Sequence, residues 1–319
     1  MKVGILGWYG HNNIGDDAML EGLQYLFSKH FNVKDFVVMS NTTTEKYPPF
    51  HPDLANTSDL MVWGGGEIIY PHHMFVSIEP WTNLVHPTKI IIGCGVNAPD
   101  YEAFLDPIKQ GLQNFSYIGV RDAIAYGILN EDPVLRPKLA LTLDPSMVLV
   151  EKYNIKAVFE KGTTVVVPTD RVDNRLDAGI IHPNIIERTK DKLKSKLLED
   201  GMTRVKLVAL GKEDNDDVAS CRKLEEYFHP ELETELCEPK TPKETLEVMS
   251  KCERVYAYRL HGLIFAHMLN VPYGFFNYHH KVGRVHYTIR NRSPNDILRI
   301  IDQSWSDLRV RLDGGEVLG

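Results

Sequence analysis

Between Arg254 and Asn295 the chain has no Asp and no Glu, although it places six Lys or Arg and five His there. The protein as a whole is acidic, with a formal net charge of -7, so this window opposes its own background. A cationic stretch in an acidic chain is a local field that favours an anionic ligand on one face. The plainer alternative is a basic patch solvated, or paired with carboxylates from elsewhere in the chain.

Other absences narrow the class. No apolar run approaches the roughly 20 residues of a membrane span. No Lys/Arg run could track a phosphate backbone, and with a pI near 6.0 a nucleic-acid partner is not expected. The four cysteines, Cys94, Cys221, Cys237 and Cys252, lie far apart and form neither a metal-type pair nor a disulfide frame. The opening Met1–Gly7 is too short for an export signal and reads as a buried strand, so a reducing, cytoplasmic setting is expected. The segment Gly7–Asp17 matches neither G-x-G-x-x-G nor a P-loop, and a dinucleotide cofactor is unsupported. His-Glu-x-x-His does not occur. The pairs His72-His73 and His279-His280 are adjacent, and neighbours on a strand point to opposite faces. No metal site is expected.

What is present is the balance of a globular protein, 43% hydrophobic and 25% charged. A length of 319 residues suits two domains. Short apolar runs alternate with helical patterns. Strands are expected at Lys2–Gly7, Phe36–Met39, Leu60–Trp63, Ile90–Ile92, Tyr117–Val120, Thr164–Val167, Val205–Leu210 and Val255–Tyr258. Helices are expected from Ala18 to about His30, and over Ile185–Leu198, Val218–Phe228 and 242 to about 251. Thr241-Pro242-Lys243-Glu244 and Ser293-Pro294-Asn295-Asp296 are helix starts with a cap and an early Pro. The face of Ile297, Ile300 and Ile301 should pack on something, even back across the domain junction.

The fold class inferred is α/β, with two Rossmann-like domains facing across a cleft, residues 1–155 and 156–319, and a boundary near Glu151–Gly162. In such sheets ligands sit beyond the carboxyl ends of the strands. Gly7–Asp17, Gly64–Gly66 and Gly93–Gly95 read as loops at such ends, followed by helix N-termini that suit anions. As single loops they are equally plain turns.

Arg259 and His261 stand where an apolar strand stops and an apolar helix begins, at about Gly262. Arg259 is suited to clamp a phosphate or carboxylate bidentately, or else pairs with a distant Asp. His261 suits acid–base work beside a multiply charged anion, or else caps the turn. His267 reads as packing or surface. Trp8, Tyr9 and Trp63 either stack on a sugar or pack the core. Asp16 and Asp17 either cap the first helix or orient a hydroxyl. Asp144-Pro145 is compatible with a simple turn.

These residues, taken in order, resemble the polysaccharide pyruvyl transferase family. The resemblance rests on Gly7-Trp8-Tyr9-Gly10 with Asn13-Ile14-Gly15-Asp16, Gly64–Gly66, Gly93-Cys94-Gly95, Val120-Arg121-Asp122, Asp144-Pro145, Arg259-Leu260-His261-Gly262-Leu263-Ile264-Phe265-Ala266 and Val271-Pro272. It implies a GT-B-like fold. It also implies transfer of the enolpyruvyl unit of phosphoenolpyruvate to a sugar as a ketal, with no cofactor beyond that donor. Arg121, Arg259 and His261 are then the expected catalytic residues. Donor binding adds Leu260, Gly93, Gly95 and, more weakly, Arg171. The acceptor side would hold Asn13, Gly15, Asp16, Gly64 and Gly65. The expected partner is a glycan or lipid-linked glycan, with peripheral contact at the inner membrane surface compatible with it. The rival reading is a GT-B glycosyltransferase with a nucleotide-sugar donor. It is disfavoured because the cationic window offers no Glu to hold a ribose. A non-catalytic binding protein of the same fold is the third reading.

Overall fold

The computed structural model describes residues 1–69, 85, 87–96, 111–170, 184–211 and 217–314. Arg171, His72 and His73 lie outside the described residues.

Eleven strands are described: β1 Lys2–Gly7, β2 Asp35–Ser40, β3 Leu60–Ile69, β4 Thr88–Val96, β5 Tyr117–Val120, β6 Leu139–Leu141, β7 Thr163–Val167, β8 Arg204–Val208, β9 Glu233–Cys237, β10 Arg254–Ala257 and β11 Tyr273–Phe275. They form two parallel sheets, ordered β2-β1-β3-β4-β5-β6 and β11-β10-β7-β8-β9. Strands such as β7 are buried at every residue. This is why they read as unbroken apolar runs rather than alternating ones: a parallel sheet covered on both faces has no solvent side.

The chain forms two compact units. The first holds the described residues within 1–10, 18–148 and 287–319, and the second those within 11–17 and 149–286. Each unit is therefore discontinuous in sequence, where a single boundary near Glu151–Gly162 was expected. Two local causes are visible. Asn13 forms an antiparallel bridge with Gly211, and the Ile14 amide donates to Leu210 O at 2.9 Å, which ties residues 11–17 to the end of β8. The last helix, Pro294–Leu312, buries Ile297, Ile301, Trp305 and Leu308. In the first unit Trp305 meets Phe27 edge-on at 4.7 Å, and Lys29 pairs with Asp302 at 3.0 Å.

Two expectations about local structure are corrected. The first helix spans Ile14–Phe31, one turn earlier than the apolar pattern suggested. Asn13 closes its start: its Oδ1 accepts from Gly15 N at 3.2 Å, and its carbonyl accepts from the Asp16 and Asp17 amides. Asp16 and Asp17 thus lie in the first turn, where negative charge suits the helix dipole. Secondly, Gly64–Gly66 and Gly93–Gly95 are not loops but strand residues of β3 and β4. Gly65, Gly66 and Gly93 have φ of +80°, +86° and +70°, and the β3–β4 and β4–β5 registers shift beside them. Glycine inside a strand marks such an irregularity.

The helix starts at Pro242 and Pro294 follow the sequence reading. Thr241 accepts from the Glu244 amide, although the Glu244 carboxylate reaches back to Lys240 N rather than to the cap residue itself. At Ser293 and Asp296 the reciprocal capping box is complete.

Candidate functional site

In the second unit, β10 leads into the helix Leu260–Met268 with Arg259 at the N-cap. The Tyr258 and Arg259 amides both donate to Val167 O, at 2.9 and 3.4 Å, so the chain stays on β7 past the end of β10. Gly262 then lets the helix close on the sheet, since a Cβ there would lie 2.9 Å from Val167 Cβ. The helix begins two residues earlier than expected. His261 is accordingly in its first turn rather than before it, and Leu260 is buried.

Arg259 is 8% exposed and faces Asp217, which is 1% exposed. Its Nε lies 3.1 and 2.9 Å from the two carboxylate oxygens and its Nη2 2.7 Å from Oδ1. Of the two readings of Arg259, the pairing with a distant Asp is the one its Nε/Nη2 edge adopts. The Nε/Nη2 fork is engaged by Asp217, because a buried guanidinium without a carboxylate is costly. Nη1 is the nitrogen outside that contact. The acid-free window therefore draws its carboxylate from outside, 42 residues upstream. Asp217 opens the helix Asp217–Phe228. Its Oδ2 accepts from the Gly211 amide at 2.7 Å, and the Thr169 hydroxyl also donates to it.

Residues 11–17 complete this centre. Asn13 Nδ2 donates to Asp16 Oδ2 at 2.6 Å. Gly15 lies against His261 so closely that a Cβ on it would overlap the imidazole. Burial lifts the Asp16 carboxyl from 3.8 to about 6, against the opposing pull of His261, Lys281 and Arg259. A carboxyl with that value can hold or release a proton near neutral pH. Asn13, Gly15, Asp16, Arg259, Leu260 and His261 are thus brought together, and the charge of Lys281 acts on Asp16.

In the first unit, Arg121 follows β5 and is 2% exposed, and Asp144 is 0% exposed. Their closest approach, Nη1 to Oδ2, is 3.9 Å, beyond a hydrogen bond. Asp144 Oδ1 instead accepts from the Ser146 amide and hydroxyl, at 3.0 and 2.7 Å. Among the described residues Arg121 Nε and Nη2 have no hydrogen-bond partner. A Cβ on Gly95 would lie 2.9 Å from both, so glycine is what lets the guanidinium lie under β4. Gly93 is packed against Pro145. Leu143, just before Asp144, has φ +59°, a strained value for a branched residue. Burial pushes the neighbouring Cys94 thiol up to about 12, which keeps it neutral and a poor nucleophile.

Gly64 and Gly65 are elsewhere in that unit, packed on Leu23 and Met19 of the first helix. The Gly64 carbonyl accepts from the Tyr9 hydroxyl. Tyr9 and Trp63 are buried core residues, whereas Trp8 is exposed. His267 contacts the Tyr273 hydroxyl at 3.1 Å. Among the described residues no cluster of three or more His, Cys, Asp or Glu could hold a metal ion, and no helix is long and apolar enough to cross a membrane.

Sequence reasoning missed Asp217, Gly211, Thr169 and Lys281. The only available signal was the acidic run Glu213–Asp217 after β8, which complements the cationic window but does not say which acid turns inward.

The sequence model of the polysaccharide pyruvyl transferase family matches residues 13–280. The chain belongs to that family. The matched span runs from Asn13 to His280 and so includes both guanidinium centres of this pyruvyl transferase family member. A search of curated protein sequences finds no match. Among solved structures, a putative UDP-N-acetylglucosamine 2-epimerase from Listeria monocytogenes aligns over 100% of this chain and 99% of its own, with 8% identity and a TM-score of 0.59. A UDP-GlcNAc 2-epimerase from Methanocaldococcus jannaschii, solved with UDP-GlcNAc and UDP, aligns over 95% and 92%, with 10% identity and a TM-score of 0.57. The MnaA–UDP structure from S. aureus aligns over 97% and 90%, with 12% identity and a TM-score of 0.51. At such identities the likeness establishes the GT-B-like α/β fold and nothing about ligands.

Proposed function

We propose that this family member transfers the enolpyruvyl unit of phosphoenolpyruvate onto a sugar of a cell-surface polysaccharide or its lipid-linked precursor, as a pyruvate ketal. Family membership supports pyruvyl transfer to a polysaccharide. The observation that carries the donor assignment is the grouping of Arg259, His261, Lys281 and Asp16 in one centre of the second unit. That centre combines fixed positive charge with two groups able to exchange protons. A donor bearing both carboxylate and phosphate is the natural ligand of such a field.

In the proposed reaction a proton is added to the methylene carbon of the donor and C2 becomes cationic. A sugar hydroxyl oxygen bonds to C2 and loses its proton. The C2–O bond to phosphate breaks, and inorganic phosphate leaves with the bonding pair. A second hydroxyl oxygen then bonds to C2 and closes the ketal. Two hydroxyl protons are released: one balances the proton now on the methyl group and one leaves with phosphate. His261 is assigned the proton delivered to carbon or removed from the hydroxyl. Fixed guanidinium charge stabilises the departing phosphate, with Arg259 offering Nη1. Arg121, in the first unit, is assigned an anionic group on the three N–H bonds of Nε and Nη2, which have no partner among the described residues. Asp16 is assigned to the acceptor hydroxyl. The scheme uses no metal.

The test is phosphate release from phosphoenolpyruvate with a panel of glycans, alongside thermal protection by phosphoenolpyruvate and by UDP sugars. The expected result is protection by phosphoenolpyruvate, and glycan-dependent phosphate release that falls about 10²- to 10⁴-fold in a folded His261→Ala variant. Protection by UDP sugars alone would transfer the assignment to a nucleotide-sugar glycosyltransferase. Full activity in His261→Ala would remove that residue from the mechanism.

A further inference from the structure

Besides the Thr169 hydroxyl that donates to it, Asp217 makes two contacts that are separate in chemistry. One is the ion pair with Arg259, with three N···O distances between 2.7 and 3.1 Å. The other is the bond from the Gly211 amide to Oδ2 at 2.7 Å. Gly211 is in turn the residue that bridges Asn13, and its neighbour Leu210 accepts from the Ile14 amide. A single buried carboxylate therefore touches the guanidinium directly and reaches the Asn13–Asp16 segment through one backbone residue.

We propose that Asp217 is a positioning residue that sets Arg259 and the Asn13–Asp16 segment in register with each other. Arg259 belongs to the proposed donor side, and Asn13, Gly15 and Asp16 to the proposed acceptor side, so this inference rests on the function proposed above. The carboxylate fixes which edge of Arg259 is turned away from it, leaving Nη1 for a ligand. Through Gly211 it also fixes where the first turn of the Ile14–Phe31 helix begins, and with it the contact of Gly15 on His261. An arginine with only a structural partner would need the first contact and not the second. A pure loop anchor would need the second and not the first.

The experiment compares the full-length wild type with Asp217→Asn, Asp217→Glu and Arg259→Lys. Two quantities are read: hydrogen exchange at the Ile14 and Gly211 amides, and the apparent affinity for phosphoenolpyruvate from thermal protection. In Asp217→Asn both amides should exchange about tenfold faster or more, while the β7 amides of Val165–Val167 stay unchanged. Affinity for phosphoenolpyruvate should fall about 10- to 100-fold. Arg259→Lys should lose affinity without any change at Ile14. Asp217→Glu keeps the charge on a longer arm, and should speed the same two amides by less than Asp217→Asn. It decides the question if the Asn variant does not fold.

Unchanged exchange at Ile14 in the Asp217 variants would overturn the proposal, leaving Asp217 as a partner of Arg259 alone. Equal acceleration at Ile14 and across β7 would overturn it too, since that is general loosening of the unit. Should wild type show no response to phosphoenolpyruvate, the donor assignment fails, while the exchange measurement still decides whether Asp217 holds the segment.

Discussion

The two buried guanidiniums among the described residues are held in opposite ways. Arg259 is closed: its fork meets Asp217 in three short contacts. Arg121 is open: its nearest carboxylate oxygen is 3.9 Å away, and Nε and Nη2 have no hydrogen-bond partner among the described residues. Exposure does not separate them, since Arg259 is 8% and Arg121 2% exposed. The difference is where the hydrogen bonds go. A closed pair fixes geometry around itself, because both ions are satisfied only in that arrangement. An open one keeps donors whose desolvation has been incurred but whose bonds are unmade, which is the state suited to an anionic ligand.

The largest effect that would break this comparison is on stability. Asp217→Ala leaves Arg259 buried without its carboxylate and should cost about 3–5 kcal/mol, read by urea unfolding of the second unit. A cost below about 1 kcal/mol would mean that the pair is not the anchor of its centre. Next comes Gly15→Ala, whose new methyl would overlap His261. It should cost about 100-fold in turnover by displacing the ring, with little change in the thermal midpoint. Turnover equal to wild type would show that the imidazole has room to yield.

A smaller effect sharpens the comparison through pH. Asp16 titrates at about 6 in the folded chain against an ordinary 3.8, so the folded state holds its proton more tightly than the unfolded state. Its stabilising contribution is complete below about pH 4 and is lost as the pH rises through about 6. Asp16→Asn, which stays neutral, should be more stable than wild type near pH 7 by about 1–2 kcal/mol after allowance for solvent screening. A pH–stability curve parallel to wild type would contradict this. The open pair gives the remaining test. Asp144→Asn keeps an oxygen for Ser146 but removes the carboxylate charge 3.9 Å from the buried Arg121, a contact without a hydrogen bond, so unfolding should shift by about 2–3 kcal/mol, less than for Asp217→Ala. A loss as large as that of Asp217→Ala would mean the two centres are held alike.

The strands and helix starts were largely legible in the sequence, for reasons that act over a few residues. β1 coincides with its apolar run, and Thr241 and Ser293 announce their helices through side chains that bond three positions on. Boundaries slipped where a cap was not read as one. Asn13 starts a helix a turn before the first apolar stripe, and β3 continues through three glycines that resemble a turn. The strands β6, β9 and β11 were not anticipated: β6 and β11 have three residues each, too few for a periodicity, and β9, at the edge of its sheet, is no apolar run. The ordered set of site motifs was also legible, and the family followed from it.

By itself the sequence determined two parallel α/β sheets, the positions of most elements, the family and an acid-free cationic window around Arg259 and His261. Only the tertiary structure decided which carboxylate enters that window, that residues 11–17 join the second unit beside His261, and that Arg259 is closed while Arg121 Nε and Nη2 have no partner among the described residues. Local pattern reflects contacts among residues a few positions apart. The partner of a buried charge is chosen by which distant backbone the sheet brings within hydrogen-bonding distance, and no spacing along the chain records that choice.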